Sequence, residues 1–416
     1  MSRNARDRRP YIKPVTRVEL SESNVKLRWI AICVLLAIAA VAIGYGFSLA
    51  LRTEPGWQEV SVNSDQINCS QDFTLMYDFG AGDVNPTAQY KKMEILYTDL
   101  TEEAYRLFHS EADGADNLHA LNTRVNEAVT VAPALYQALN QIVESGNRHV
   151  FLAPVLELYD PVFLSSTDAE AALYDPMKEP ERQTMVREMA AYCADSAMVD
   201  LQLLGDSQAM LVVSEEYLAY AEEYGIDVFL DLGWMTNAFI IDYMAQALQA
   251  EGHVYGYLTS VDGFTRNLDI RDGRYAQNIF HCQDSNVYMP AILEYSGELN
   301  LVTLRNYPMS EQDRWKYYAY GDGSITSVFL STKDGLSHSS IDGITAYSTD
   351  TGCAWMLLRL APVFTAEEFD AQSLEVLTQE GIHSIYCQDR TVIHTDESAE
   401  PKLQDSSYKV SFYSVN

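Results

Sequence analysis

Along most of the chain, apolar residues return at intervals of three and four, and in shorter stretches they alternate with polar ones. Val131 to Val143 sets Leu135, Leu139 and Ile142 on one face, the spacing of an amphipathic helix. Thr101 followed by Glu102 and Glu103 has the form of a helix start, a hydroxyl cap with acids in the first turn. Further helices are predicted around Thr184 to Cys193, with Met185, Met189 and Tyr192 inward, and from the cap Ser214 to Gly225. Thr236 to Ala250 places Phe239, Tyr243 and Ala247 on one side, with Ile240, Met244 and Leu248 beside them, and Gly252 terminates it. Near the end, Thr365 and Glu368 read as a capping box for a helix that turns Leu374 and Leu377 inward and closes at Gly381.

The alternating stretches predict strands. Two flank Gly205-Asp206-Ser207 as a hairpin, one covers Ile226 to Gly233, and another starts near His253. From there to Leu330 the chain is dense in Tyr, Val and Thr with regularly spaced turn residues, the mark of antiparallel sheet. An acidic, Ser-rich loop, Thr395 to Ser407, precedes a last strand from Tyr408 to Val415. The fold class is therefore α+β, a mostly antiparallel sheet with packed helices.

One stretch fits neither period. Trp29 to Leu51 carries no charged side chain and exceeds the ~7–15-residue apolar core of a cleaved signal peptide. It predicts one N-terminal transmembrane helix across the ~30 Å hydrocarbon layer. Before it, Arg3, Arg6, Arg8, Arg9, Lys13, Arg17, Lys26 and Arg28 face only Asp7, Glu19 and Glu22, which would hold the N-terminus in the cytoplasm. The expected organisation is a cytoplasmic basic tail (1–28), a single-pass membrane helix (29–51), a polar stalk (52–74) and an extracytoplasmic domain (75–416) in the cell membrane.

Charge narrows the partners. The chain has a net formal charge of −31, and nine of its 28 Lys and Arg lie before residue 53 against only three acids, so the remainder is more acidic still. Nucleic acid and anionic lipid both need cationic surface and are excluded as partners of that part. The six cysteines are far apart, with no CxxC or Cys/His spacing for zinc, and read as buried, inert thiols with at most one bridge. The tyrosine-rich segments Lys316 to Tyr320 and Tyr217 to Tyr224 read as packing.

The stretch with a mechanism attached is Asp231 to Asp242, DLGWMTNAFIID, a glycine turn entering a helix. Glycine there lets backbone approach a ligand, and the free amides of a helix start attract anions. This stretch resembles the D-L-G-G-x-x-K-G-x-x-x-D block of the FAD:protein FMN transferases, the ApbE-type flavin transferases. Upstream, LHALNTRVNEAVT (Leu118 to Thr130) is similar to that family's S-x-L-x-x-L-N segment. Downstream, TSVDGFTRNL and GSITSVFLSTKDGLSHSSIDGITA resemble its G-G-x turn, its A-T-S-G stretch and H-I-I-D-P-x-T-G. The likeness runs from about Met76 to Phe364.

The resemblance implies FAD as the flavin donor, Mg²⁺ as its counterion, and an exported flavoprotein bearing the accepting Thr or Ser as partner. It places Asp231, Gly233, Asn237, Asp342 and Thr345 at the cofactor, His338 at catalysis and Asp350 at the metal. Several of these positions depart from the family. Trp234 stands for its second glycine, Asn237 for its lysine and Ala238 for its last glycine; Gly343 replaces a proline and Ala346 a glycine. The family histidine falls on Ser339, one residue from His338; the threonine four residues after Asp350 is Ala354; the F-D pair is Phe151-Leu152. Two functions follow: a degenerate, non-catalytic binding or scaffold domain with its cleft partly filled by Trp234, or an active Mg-dependent FMN transferase.

Overall fold

The computed structural model describes residues 25–50, 53–82 and 84–413, so the basic tail up to residue 24 lies outside the described residues. The chain divides into two compact units, Met1–Thr53 and Glu54–Asn416. The first contains one helix, α1 (Val25–Ala50). Among the described residues no helix is long and apolar enough to cross a membrane. That overturns the single-pass helix expected at 29–51, and with it the placement in the cell membrane with an extracytoplasmic main domain.

The second unit is built on a nine-stranded sheet whose spatial order follows the chain. Its strands are β1 (Gly56–Glu59), β2 (Phe73–Phe79), β3 (Gly256–Ser260), β4 (Phe264–Asn267), β5 (Leu299–Arg305), β6 (Gly343–Ser348), β7 (His383–Gln388), β8 (Thr391–His394) and β9 (Lys409–Phe412). Neighbours pair antiparallel except β8 with β9, which run parallel. β1 falls within residues 52–74 and pairs Gly56 with Phe79.

Strand alternation divides two cores. Val302, Leu304, Ile344, Ala346 and Tyr386 face the helices, in one core with α2 (Pro86–Phe108), α3 (Pro133–Ser145), α4 (Thr236–Ala250) and α5 (Cys353–Phe364). Leu299, Leu301, Tyr347, Ile385 and Cys387 face a long hairpin, Arg274–Gln283 with Asn286–Ser296, that covers the other side. α4 is central: it packs on α2, α5, β3 and β4, which is why its side chains are buried almost all round. The expected mixture of helices with a mostly antiparallel sheet is what the unit contains.

Most predicted helices form where the periodicity put them. α3 buries Leu135, Leu139 and Ile142, Ser214 caps Glu215–Tyr224, and Gly225 closes that helix in the left-handed region. Two starts are corrected. Thr101 lies inside α2, where its hydroxyl donates back to Thr98 (2.9 Å), because the apolar row Met93, Tyr97, Leu100, Ala104 runs straight through it. The true start is Asn85, whose side chain accepts from the Ala88 amide. Thr365 ends α5, with both its amide and its hydroxyl bonded to the Ala361 carbonyl, and the next helix is Ser373–Gln379. All six cysteines are free. Burial pushes the thiols of Cys69 and Cys387 up to about 12, which leaves them unreactive.

Candidate functional site

Residues Phe229 to Leu232 were expected as a strand, and they make no ladder. One buried side chain takes the place of a partner strand. Asn122 accepts from the amides of Phe229 (2.9 Å) and Leu230 (3.0 Å) and donates to the Leu230 carbonyl (2.8 Å). The Asp231 amide then donates to Val150 (2.9 Å). Backbone groups satisfied this way need no sheet. Asn122 is the asparagine of the upstream block and Leu230 precedes the downstream one, so two sequence blocks meet in space.

Gly233 follows at φ +54, the left-handed region that glycine enters without strain. Asp231 accepts from its amide (2.5 Å), and a single 3₁₀ turn, Gly233–Met235, leads into α4. Trp234 points inward and is 7% exposed. Its indole stands edge-on to Phe329, with ring centres 4.9 Å apart, and to His149 at 6.2 Å.

Beside it remains a cavity of about 160 Å³, walled by His149, Leu152, Leu156, Trp234 and Leu330, with Asp231, Glu157 and Asp160 among its lining residues. Ligand sites for drug-sized molecules are ~300–1,000 Å³. Among the described residues no lysine or arginine lines this one. Partial burial, then the charges of Asp160, Asp227 and Asp231, hold the Glu157 carboxyl above its ordinary range, and burial does the same to Asp160.

Asn237, one turn further, donates to Asp262 (2.6 Å). Asp262 is ion-paired with the Lys316 ammonium, and both are buried. Asp72 lies beside them, its carboxyl raised first by burial and then by the Asp262 charge. Burial pulls the Lys316 ammonium down, against the Asp262 charge. Lys316 was read as part of a packing segment. It reaches α4 only because the loop after β5 folds back, and local pattern carries no sign of that.

Asp242, at the end of the motif, is a structural group here. Its Oδ1 accepts from the Cys353 amide (3.0 Å) and its Oδ2 from the Ala354 amide (2.9 Å), capping α5 from the neighbouring helix. Arg266 pairs with the same carboxylate, and both side chains are buried. A Cβ on Gly352 would lie 2.4 Å from Asp242 Oδ2, so glycine is required there.

Mg²⁺ needs several free oxygen ligands. At the start of α5 the nearby carboxylate is already engaged by a guanidinium and two amides, Ala354 offers none, and Asp350 lies exposed in the preceding turn. These residues do not fit the magnesium ion that the resemblance implies.

The remaining expected residues lie elsewhere. Asp342 lines a different cavity with Cys282, Tyr307 and Tyr320. Thr345 alternates with Ile344 and Ala346, so it faces away from the helices, and its hydroxyl meets that of Thr303 (3.1 Å). His338 sits in a turn with its Nε2 3.4 Å from Asp334. Only Asp231 and Gly233 of the expected set line the cavity beside Trp234.

His149, which the sequence did not single out, is a wall of that cavity. Its ring nitrogens meet Asn147 (3.0 Å) and Thr365 (3.0 Å), and burial lowers its pKa to about 4. The unfolded imidazole titrates near 6.5. Between these values the unfolded chain binds the extra proton, so stability present above pH ~6.5 is lost as pH falls toward 4, by about 3 kcal/mol. Urea unfolding at a series of pH values is expected to show this loss, and His149→Gln to flatten it; parallel profiles would refute the assignment.

No protein-family model and no curated protein matches the chain. Among solved structures, the ApbE protein from Thermotoga maritima superposes with a TM-score of 0.53 at 14% identity, over 79% of this chain and 94% of its own. The flavin transferase ApbE from Vibrio cholerae gives 0.51 at 12% identity, over 85% and 99%. At such identity the likeness establishes the fold, a divergent ApbE-like one.

Proposed function

From this ApbE-like fold, we propose that the chain is a non-catalytic binding or scaffold domain whose cleft beside Gly233 no longer accepts a flavin dinucleotide. The observation that carries the reading is the cavity left by Trp234. It is about 160 Å³ and, among the described residues, is lined by three carboxylates and no lysine or arginine. A pyrophosphate placed there would meet like charge and find no donor ammonium or guanidinium. The position where the family has lysine is Asn237, and its amide is already spent on Asp262. The oxygen ligands for Mg²⁺ are lacking at the start of α5.

Fluorescence titration of the full chain with FAD and Mg²⁺ tests this. The expected result is no saturable binding up to tens of micromolar. Saturable binding abolished by Asp231→Ala would sink the proposal in favour of the second reading, transfer of FMN from FAD to a Thr or Ser of a flavoprotein. One observation favours that second reading: Lys316 returns an ammonium to the neighbourhood of Asn237, through Asp262.

A further inference from the structure

We propose that Asp334, His338 and Glu367 form a binding site for a divalent transition-metal ion, of the Zn²⁺ or Mn²⁺ class. One ligand atom from each lies within 4.8 Å of the other two. His338 Nε2 and Asp334 Oδ2 are 3.4 Å apart. That is long for a charge-assisted hydrogen bond, which closes to ~2.7–2.9 Å. Two ligands about 2.1 Å from a shared ion are separated by roughly 3.0 Å at a right angle and 3.4 Å at the tetrahedral angle. The pair is spaced for an ion between them.

The donor set agrees with that geometry. One imidazole and two carboxylates suit zinc, manganese or iron, whereas a set of oxygens alone would suit magnesium or calcium. Asp334 uses Oδ1 to accept from the Leu336 amide (3.2 Å), which leaves Oδ2 for the ion. Among the described residues, no lysine or arginine is ion-paired with any of the three, so two carboxylate charges face each other without a fixed cation.

Two segments bring them together. His338 is anchored by its amide to Phe329 (3.0 Å), and Ser340 donates from its amide to Phe364 (2.8 Å) and from its hydroxyl to Val363 (2.7 Å). Those bonds latch the histidine turn to the end of α5, just before Glu367. Glu367 is exposed, which leaves an open side for ion entry and for solvent to complete the coordination shell. None of the three lines the cavity beside Trp234, so the site stands apart from the flavin question. Linear spacing of Cys and His could not reveal it, because the third ligand lies across a helix end.

Isothermal titration of the chelator-treated full chain with ZnCl₂, MnCl₂ and MgCl₂ tests the proposal. One Zn²⁺ or Mn²⁺ per chain is expected, weakened about tenfold or more by each of His338→Ala and Glu367→Gln. Glu367→Gln is a surface change that leaves the fold intact and so separates ligation from stability. Absence of one-to-one binding, binding indifferent to both variants, or saturation by Mg²⁺ alone would overturn it.

Discussion

Asp242→Ala is expected to lower the unfolding free energy by about 3–5 kcal/mol, the range for breaking a buried charge pair by removing one partner. The Asp242 carboxylate holds the Arg266 guanidinium, and both side chains are at most 10% exposed. It also accepts from the first two amides of α5, so its loss strands a buried cation and uncaps a core helix together. Urea denaturation would measure the change. Asp242→Leu combined with Arg266→Met should recover a substantial part, because no charge is then left buried alone. A loss below about 1 kcal/mol for the single change would mean that the pair is solvated and the cap dispensable.

The second large effect concerns Trp234. Removing an indole that packs edge-on to Phe329 and His149 is expected to cost about 3–5 kcal/mol, by lost burial and by the cavity left behind. The same variant separates two explanations for a cleft that rejects flavin. If bulk alone closes it, Trp234→Ala should bind FAD. If charge decides, the enlarged cavity still presents Glu157, Asp160 and Asp231 to a pyrophosphate, and binding stays absent. The second outcome is expected. FAD binding gained by Trp234→Ala alone would show that the acids are held far enough from the phosphates to be harmless.

The motif residues show how one sequence block can divide. Asp231 and Gly233 stay at the cavity; Asn237 turns to Asp262; Asp242 turns to α5. Alignment to a family pattern treats these as one site, and packing assigns them three tasks. Thr345 shows the same limit in a strand, where alternation sends it to the face opposite the helices.

Local chemistry by itself determined much of this protein. Apolar spacing and caps placed α3, the Ser214-capped helix and α4, because a buried face must recur with the helical period whatever lies across from it. The order of weak motif blocks pointed to the fold, since connected elements keep their sequence through divergence. Tertiary structure alone decided the rest. It replaced the expected strand at Phe229 to Leu232 with bonds to Asn122, carried the helix of residues 86–108 through Thr101, brought Lys316 beside Asn237, and joined Glu367 to His338 across a helix end. Each depends on which distant group satisfies a buried polar atom or charge, and that partner is set by how the chain folds back, which local pattern does not encode.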